Sequence, residues 1–386
     1  MSLWRRRSLG VMRLLITGGA GFIGSNFARY WSTHRPDDRI VVLDALTYAG
    51  NRDNLADLEA SGRIAFVHAD IADQAAVEET ITTHALDTIV NFAAESHNSL
   101  AVLDPTRFFR TNVMGTVALC EAARRLEVAR LHHISTCEVY GDLALDSEEA
   151  FTEDSPYRPR TPYNASKAAA DHVVRSYGET FGLQATITNC CNNYGPYQFP
   201  EKVVPLFATR ALKGEPLPLY ASTKNRREWL HVDDHCSAIE AVLDRGRIGE
   251  TYLVGSGQEE SIEELADIIL EATGQPESLK RIVPDRPGHD RRYLLDSTKI
   301  KTELGWEPKV SFADGIAATI AWYRDNEAWW EPLLRRAPVV EDSWGQPPPP
   351  TDAGTAAPAS APAPASVPAP APAAATASAA DPAPGD

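Results

Sequence analysis

The first half of the chain alternates short apolar runs with longer segments of helical periodicity. The apolar runs predict β-strands at residues 13–17, 40–44, 64–67, 88–92 and 131–135. Helical patterns follow at 22–31, near 107–126 and at 164–182. Strands that alternate with helices are typical of a parallel sheet with helices on both faces. The predicted fold class is therefore α/β, a Rossmann-type doubly wound parallel sheet.

The pattern changes beyond about residue 195, where it becomes irregular and rich in Pro, Arg and aromatic residues. It predicts a smaller C-terminal substrate domain over the carboxyl edge of the sheet, where ligands bind in such folds. The predicted organisation is a basic leader at 1–11, a Rossmann-type domain at 12–194, mainly a substrate-binding domain at 195–335, and a tail at 344–386. This prediction leaves open that some segments of 195–335 belong to the central sheet. The tail is rich in Pro and Ala, and we predict that it is disordered.

Composition narrows the class of partners. The 386-residue chain is 43% hydrophobic and carries a net charge of −16, which argues against a nucleic-acid partner. No apolar run approaches the length of a membrane span, so we predict no membrane partner either. The five cysteines include no CxxC pair, and their odd number argues against a disulfide framework. These features favour a cytoplasmic protein.

A glycine-rich turn follows the first predicted strand and opens the first predicted helix. The glycines Gly18, Gly21 and Gly24 are spaced as GxxGxxG, and Phe22 and Ile23 lie between the last two. Glycine suits such a turn because a pyrophosphate must approach the backbone closely, and the helix amides then hold the phosphates. A strand, a glycine turn, a helix and a following acidic residue together predict a dinucleotide site.

The acidic residue that follows is Asp44, at the end of the second predicted strand. A carboxylate at this position accepts hydrogen bonds from ribose hydroxyls and repels a 2′-phosphate, so it predicts NAD rather than NADP. Asp70 and Ile71 end the third predicted strand and are placed to meet the adenine. A plain turn at this strand end is nearly as good an interpretation.

Tyr163 and Lys167 are spaced as Tyr-xxx-Lys on a predicted helix. Residues four apart share one helix face, so Lys167 can hold the ribose and lower the phenol pKa while Tyr163 acts as a base on a substrate hydroxyl. Together with the glycine turn, this pair resembles the extended short-chain dehydrogenase/reductase superfamily.

Three further segments sharpen this resemblance. They are Asn91–His97, Asn192–Lys202 and Asp285–Asp290. Together with Ser135–Gly141 they are similar to the family of dTDP-glucose 4,6-dehydratases, over about residues 12–332. In that family NAD oxidises C4 of a hexose, a Glu removes the C5 proton, a neighbouring acid protonates the leaving C6 hydroxyl, and the hydride returns to C6.

The resemblance implies roles for residues of this chain. Glu138 would be the C5 base, Thr136 and Tyr163 would serve C4 oxidation with Lys167, and Cys137 would be the acid. Ala93 would join the cofactor site. The implied substrate contacts are His97, Asn192, Glu201, Lys202, Arg227 and His289, with added positive charge from Arg286, Arg291 and Arg292. No metal site is expected, since the Asp-His stretch at 231–235 is matched in the family without a metal.

The chain departs from the family at three places. The family's Asp before the Glu is Cys137 here, and its Val-Asp-Arg-Ser after the His is Asn98–Ala101. The usual glycines before the substrate Arg are replaced at residues 221–223. Since a thiol is protonated at neutral pH, we hypothesise that Cys137 supplies the proton and that activity falls at alkaline pH as the thiol ionises.

The sequence favours an NDP-hexose 4,6-dehydratase, and dTDP-glucose is the expected substrate. Related lyases on the same fold, an NDP-sugar 5,6-dehydratase or a UDP-glucuronate decarboxylase, are alternatives. A catalytically inactive NAD-binding sensor or scaffold is the alternative of another class. Within the superfamily, the helices near 107–126 and 164–182 pair with their copies, so a homodimer is expected.

Overall fold

The structure, a computed structural model, describes residues 11–336. Most of the predicted leader and the whole of the predicted tail therefore lie outside the described residues. The strands are β1 (Arg13–Thr17), β2 (Arg39–Asp44), β3 (Ile64–His68), β4 (Thr88–Asn91), β5 (Arg130–Thr136), β6 (Ala185–Cys190), β7 (Asn192–Tyr194), β8 (Leu217–Tyr220), β9 (Arg226–His231), β10 (Thr251–Val254), β11 (Glu259–Ser261) and β12 (Lys280–Val283).

The helices lie mostly between these strands. They are α1 (Phe22–His34), α2 (Ala56–Ala60), α3 (Gln74–His84), α4 (Asn98–Leu103), α5 (Pro105–Phe108), α6 (Gly115–Arg125), α7 (Pro162–Phe181), α8 (Val203–Lys213), α9 (Val232–Arg245), α10 (Ile262–Thr273), α11 (Thr298–Leu304), α12 (Phe312–Asp325) and α13 (Glu327–Leu334). Short 3-10 turns occupy 52–55, 137–140 and 277–279, and a π-helical turn occupies 109–114.

Seven parallel strands form the central sheet in the order β10-β6-β5-β4-β1-β2-β3. The order reverses between β1 and β4, and ligands bind at such a switch point in doubly wound folds. The predicted fold class is confirmed. Each of the five predicted strands is present, and β1 has the predicted bounds.

Two strands of this sheet, β6 and β10, were not predicted. Strand β6 has the sequence ATITNC, in which polar residues interrupt the apolar pattern. Its threonines are buried because they bond to the His132 ring of β5, through Thr186 at 2.9 Å and Thr188 at 3.2 Å. A central strand that buries paired polar groups has no apolar run for sequence reasoning to detect.

Helices cover both faces of the sheet. On one face, α3, α6 and α7 pack on the sheet through apolar residues such as Val77, Leu119 and Val174. On the other face, α1 and α9 pack through Trp31 and Ile239. Helix α9 and strand β10 come from the second half of the chain, so segments of 195–335 do return to the sheet layer. The division into two domains at residue 194 stays a proposal.

The remaining strands form two small sheets that belong to the second half. One sheet has the order β11-β9-β7, with β7 parallel and β11 antiparallel to β9, and the other pairs β12 with β8. Their core includes Phe207, Trp229 and Ile316. Among residues 11–336, no helix has the length and apolarity that crossing a membrane requires.

Candidate active site

A cavity of about 520 Å³ lies along the carboxyl edge of the central sheet. Such a volume suits a ligand site. Every residue predicted to bind cofactor or substrate lines this cavity, including those at positions as distant in sequence as Gly18 and His289. Four of the five predicted catalytic residues line it too: Thr136, Glu138, Tyr163 and Lys167. The fold therefore gathers nearly the whole predicted site around one space.

The glycine turn between β1 and α1 is too tight for side chains. Gly18 has φ +67°, and a Cβ there would lie 2.5 Å from the Ala93 nitrogen of the neighbouring chain segment. A Cβ on Gly24 would lie 2.4 Å from the Gly18 carbonyl oxygen. Gly21 has more room, at 3.2 Å from the same oxygen. Glycine is required at Gly18 and Gly24 so that the backbone itself forms the cavity wall.

The first turn of α1 faces the cavity without a cap. Its N-cap residue Gly21 has no side chain to accept the first amides, and no acidic residue lies in the first turn. Phe22, Ile23 and Gly24 line the cavity beside it. Unsatisfied amides and the helix dipole attract anions, so this end of the cavity fits the pyrophosphate of a dinucleotide.

Asp44 lies at the carboxyl end of β2, buried beside the glycine turn. Its two carboxylate oxygens accept hydrogen bonds from the backbone amides of Ala20 at 2.9 Å and Leu46 at 2.8 Å. These bonds fix the carboxylate at the cavity wall, where its remaining lone pairs fit ribose hydroxyls. Asp70 and Ile71 line the same end, and the Asp70 carboxylate accepts the Ala72 amide at 2.9 Å.

Tyr163 and Lys167 lie one turn apart on α7, as their spacing predicts. Thr161 caps this helix by accepting the Asn164 amide at 3.2 Å, and Pro162 occupies the first helical position. The Lys167 ammonium donates to the Ile134 carbonyl at 2.7 Å and lies 3.4 Å from the His133 ring. The anchored helix start fixes where both side chains enter the cavity.

The pKa of Tyr163 differs from the sequence-based expectation. Burial, and then the charge of Glu138, raise the pKa of the phenol well above its ordinary value, while contact with Thr136 opposes this rise. The Lys167 ammonium lies one helical turn away on α7 and donates to the Ile134 carbonyl at 2.7 Å. Burial also lowers the pKa of Lys167 itself.

Glu138 lies on the 3-10 turn that follows β5, and its carboxylate lines the cavity. The Asn98 amide donates to one of its oxygens at 3.0 Å. Burial, followed by the charge of Asp290, raises the pKa of Glu138. A partly buried carboxylate with a raised pKa is suited to take a proton from carbon.

Cys137 is the one predicted catalytic residue that the structure does not bring to the cavity. Its side chain is 1% exposed and packs in an apolar cluster with Val139, Tyr140 and Leu253. Burial raises the pKa of the thiol well above its ordinary value. The thiol is therefore protonated, but it lies behind the cavity wall. Its role as a proton donor stays a hypothesis without geometric support.

Among the predicted substrate contacts, His97, Glu201 and Lys202 are each held in place by a hydrogen bond. The His97 ring accepts the Ser99 amide at 3.2 Å, and burial lowers its pKa to about 3, so the ring is neutral. Tyr48 donates to Glu201 at 2.9 Å, and burial raises the pKa of Glu201 to about 7. Lys202 donates to the Ser96 carbonyl at 2.7 Å.

Positive charge lines the cavity at Arg227 and Arg286. Arg227 is buried and donates to the Asp290 carbonyl at 2.8 Å, while its guanidinium lies 4.8 Å from the centre of the Tyr293 ring. Arg286 is buried with no hydrogen-bond partner at one nitrogen. Burial lowers the pKa of His289 to about 3. Two guanidinium groups fit a pyrophosphate.

Two arginines expected to add charge to the site do not line it. Arg291 pairs with Asp142 at 2.8 Å, and Arg292 pairs with Glu259 at 2.7 Å. Both are structural ion pairs, so that expectation is wrong. Within residues 11–336, no group of three or more His, Cys, Asp or Glu side chains is placed to hold a metal ion.

Two cavity residues were not assigned a role from the sequence. Asn98 departs from the family at its position, and its contact with Glu138 cannot be inferred from spacing because the two are 40 positions apart. Glu95 lines the cavity and pairs with Arg107 at 2.7 Å. Its position in the Asn91–His97 segment was the only available signal.

Comparisons with known proteins show the family to which the chain is similar. Residues 15–319 match the profile of the GDP-mannose 4,6-dehydratase family. The dTDP-glucose 4,6-dehydratase of Streptomyces niveus is 50% identical over 328 residues, which cover 83% of this chain and 96% of that protein.

Solved structures give the same result. The dTDP-glucose 4,6-dehydratase of Streptomyces venezuelae, with NAD and dTDP bound, superposes with a TM-score of 0.80 at 51% identity, covering 83% of this chain and 100% of that one. The enzyme of the same name from Bacillus anthracis, in complex with NAD, gives a TM-score of 0.78 at 43% identity and covers 84% of this chain and 100% of that one.

Proposed function

The chain belongs to the family of dTDP-glucose 4,6-dehydratases, and we propose that it converts dTDP-glucose into the 4-keto-6-deoxy sugar nucleotide with loss of water. The observation that carries this proposal is that Glu138, Tyr163 and Lys167 line one cavity with the glycine turn. This arrangement would bring a base for a carbon acid and a base for a hydroxyl together beside a dinucleotide site.

NAD is the cofactor that fits this cavity. The glycine turn and the uncapped start of α1 would hold its pyrophosphate, Asp44 its adenosine ribose, and Asp70, Ile71 and Ala93 would enclose the adenine end. Lys167 would hold the other ribose. Bound NAD supplies a hydride acceptor that takes hydrogen from C4 and gives it back at C6.

The chain's own residues handle the protons. Tyr163, assisted by Thr136, removes the proton of the C4 hydroxyl, and the C4 ketone then acidifies C5. Glu138 removes the C5 proton. The departing C6 hydroxyl takes up one proton and C5 takes up another, so two protons are removed and two are returned. The sequence-based hypothesis that Cys137 donates to the hydroxyl is left to a test by Cys137→Ala, because the side chain does not line the cavity.

The substrate contacts follow from charge and burial. Arg227 and Arg286 would bind the pyrophosphate of the sugar nucleotide, with neutral His289 as a hydrogen-bond partner. His97, Asn192, Glu201 and Lys202 would surround the hexose. This arrangement offers local positive charge in a protein whose net charge is −16.

The test is turnover of dTDP-glucose in D₂O, followed by NMR. We expect a 6-methyl signal with deuterium at C5 for the wild type, and a loss of about 10²–10⁴-fold for Glu138→Gln, which keeps the shape but removes the base. An exocyclic methylene would identify a 5,6-dehydratase. Bound NAD without turnover of any sugar nucleotide would identify an inactive binding protein.

A homodimer formed by the faces of α6 and α7 is part of the proposal. The π-helical turn before α6 exposes Phe109 (40%) and Met114 (57%), and the end of α7 exposes Phe181 (48%). Large exposed apolar side chains on two adjacent helices suit an interface. Light scattering at micromolar concentration should give twice the chain mass, and a monomer would count against it.

We also propose a cytoplasmic location. All five cysteines are free and buried, so the protein does not rely on oxidation for its fold. Measurement of full thiol content in protein isolated under alkylating conditions tests this proposal, and a disulfide would contradict it.

A further inference from the structure

Asn98 lies at the start of α4 and lines the cavity beside Glu138. Its amide nitrogen donates to a Glu138 carboxylate oxygen at 3.0 Å. In the similar family a Val precedes the corresponding Asp-Arg-Ser, and a Val side chain cannot donate. We propose that Asn98 is a positioning residue, which orients Glu138 and keeps its carboxylate ionised as the base of this enzyme. The catalytic part of this inference rests on the proposed function.

The orientation of the Asn98 amide is fixed by a second contact. The Thr161 hydroxyl accepts the Asn164 amide at 3.2 Å and donates to the Asn98 carbonyl oxygen at 3.0 Å. With its oxygen taken up in this way, Asn98 presents its nitrogen to Glu138. An amide nitrogen can only donate, and the ionised carboxylate is a stronger acceptor than the neutral carboxyl, so the bond stabilises the ionised form more than the protonated form.

This bond opposes the other influences on Glu138. Burial and the carboxylate of Asp290 raise the pKa of Glu138, whereas Arg286, Asn98 and Arg227 lower it. The titratable and charged groups that face Glu138 are Cys137, Tyr163, Cys190, Arg227, Arg286, Asp290 and Tyr293. Asn98 is the one uncharged donor bonded to the carboxylate among the described residues.

The same contacts join the base to the helix that carries the other catalytic groups. Thr161 is the N-cap of α7, and Tyr163 lies two residues further on. The chain of hydrogen bonds from Asn164 through Thr161 and Asn98 therefore ends on Glu138. Asn98 thus links the helix start that carries the group proposed to act at C4 with the group proposed to act at C5.

The test compares the wild type with Asn98→Leu, which keeps a similar volume and removes the donor, and with Asn98→Ala. The infrared band of the protonated Glu138 carboxyl, identified by its absence in Glu138→Gln, reports the protonation of Glu138 without any substrate. We expect this band to persist to a pH about one unit higher in both Asn98 variants, since a hydrogen bond to a charged group is lost.

Turnover of dTDP-glucose gives the second readout. The acidic limb of the kcat profile should move up by about one pH unit, so kcat falls about tenfold at pH values below both limbs, while KM is unchanged. Deuterium entry at C5 should slow in parallel. Asn326→Leu is the matched control, because its amide donates to the Trp322 carbonyl at 2.8 Å, away from the cavity.

An infrared titration that is identical in the wild type and both Asn98 variants would overturn the proposal. A shift of the band with no turnover of any sugar nucleotide by the wild type would support the contact and defeat the proposed function instead. If Asn98→Leu does not fold, Asn98→Ala decides the question, because its smaller side chain introduces no clash.

Discussion

The two ends of the cavity are built from opposite kinds of residue. At the cofactor end, Gly18 and Gly24 form the wall by having no side chain, and the proposed contacts to the pyrophosphate come from the amides of the helix start. At the substrate end, the wall consists of buried groups that ionise, such as Glu138, Glu201 and Arg227. The shape of a wall made of backbone is fixed by steric contacts, whereas the pKa values of ionising groups in a wall depend on the residues around them.

This difference matches where the chain departs from its family. The glycine turn, Asp44 and the Tyr-Lys pair keep the superfamily pattern, while Cys137 and Asn98 both adjoin Glu138, the proposed base. At Gly18 and Gly24 the close approach of the backbone leaves no room for a side chain, so these positions cannot be exchanged. A tuned carboxylate can keep its function when one neighbour is exchanged for another with a compensating effect on its pKa.

Loss of the cofactor end should have the largest effect. We expect Gly24→Val to remove bound NAD, because its Cβ would meet the Gly18 carbonyl oxygen at 2.4 Å and no flexible side chain can move aside. The purified variant, once denatured, should release less than about a hundredth of the NAD of the wild type. Gly62→Val is the control, since its Cβ would meet nothing within 4 Å. Its positive φ of 70° adds local strain only. Equal NAD content in all three proteins would contradict the steric argument.

Removal of one charge at this end should have a graded effect. Asp44→Asn should weaken NAD binding about 10- to 100-fold and reduce the preference for NAD over NADP, because a charged acceptor for ribose hydroxyls becomes neutral. Asp70→Asn makes the same change at the next strand end, where the carboxylate already serves the Ala72 amide at 2.9 Å. Fluorescence titration with both dinucleotides measures the effect. A larger loss for Asp70→Asn would reverse the two assignments.

At the substrate end, stability should depend on pH through Glu201. Burial raises its folded pKa to about 7 from an ordinary value of 4.5, so the folded state binds the extra proton between these values. Its contribution to stability is complete below pH 4.5 and is lost as the pH rises through 7. The wild type should lose stability from pH 5 to pH 8, whereas Glu201→Gln has no carboxyl to titrate. The unfolding free energy of the variant minus that of the wild type should therefore rise by about 1–2 kcal/mol over this range. Denaturant unfolding of both proteins at both pH values, without substrate, measures this difference. An equal change of unfolding free energy with pH in the two proteins would contradict the prediction.

Much of the fold and most of the site could be predicted from the sequence. The fold class, the family, NAD and the dehydratase activity are confirmed by the topology and the relatives. These predictions succeeded because a parallel strand, a glycine turn and the first turn of a helix are local features. The local pattern also placed Tyr163 and Lys167 on one face of α7.

The remainder depended on contacts between distant segments. The helix predicted near 107–126 is three segments, α5, the π-helical turn and α6, in which the Asn112 side chain bonds to Glu95 and Ser166. No local pattern reveals such a widening of a helix. The burial of Cys137 is of the same kind, because it depends on residues near 140, 190 and 253 that pack behind the turn.

Cys137→Ala should have the smallest effect on activity. A general acid contributes about 10²–10⁴-fold, but a donor must reach the group that it protonates. The Cys137 side chain is 1% exposed and outside the cavity lining, so we expect turnover to fall by less than about threefold. The alkaline limb of the pH profile should not move either. Burial holds the pKa of the thiol well above its ordinary value, so the alkaline loss predicted from the sequence has no thiolate to cause it.

Cys236→Ala is the matched control, since this thiol is also fully buried but lies on α9, on the other face of the sheet. Both variants should lose about 1 kcal/mol of stability by creating a small cavity. If Cys137→Ala alone loses more than about tenfold in kcat, and deuterium still enters C5 while water loss stops, then the thiol is the proton donor. It would then have to reach the cavity when the sugar binds, and the substrate end would differ from the cofactor end in mobility as well as in chemistry.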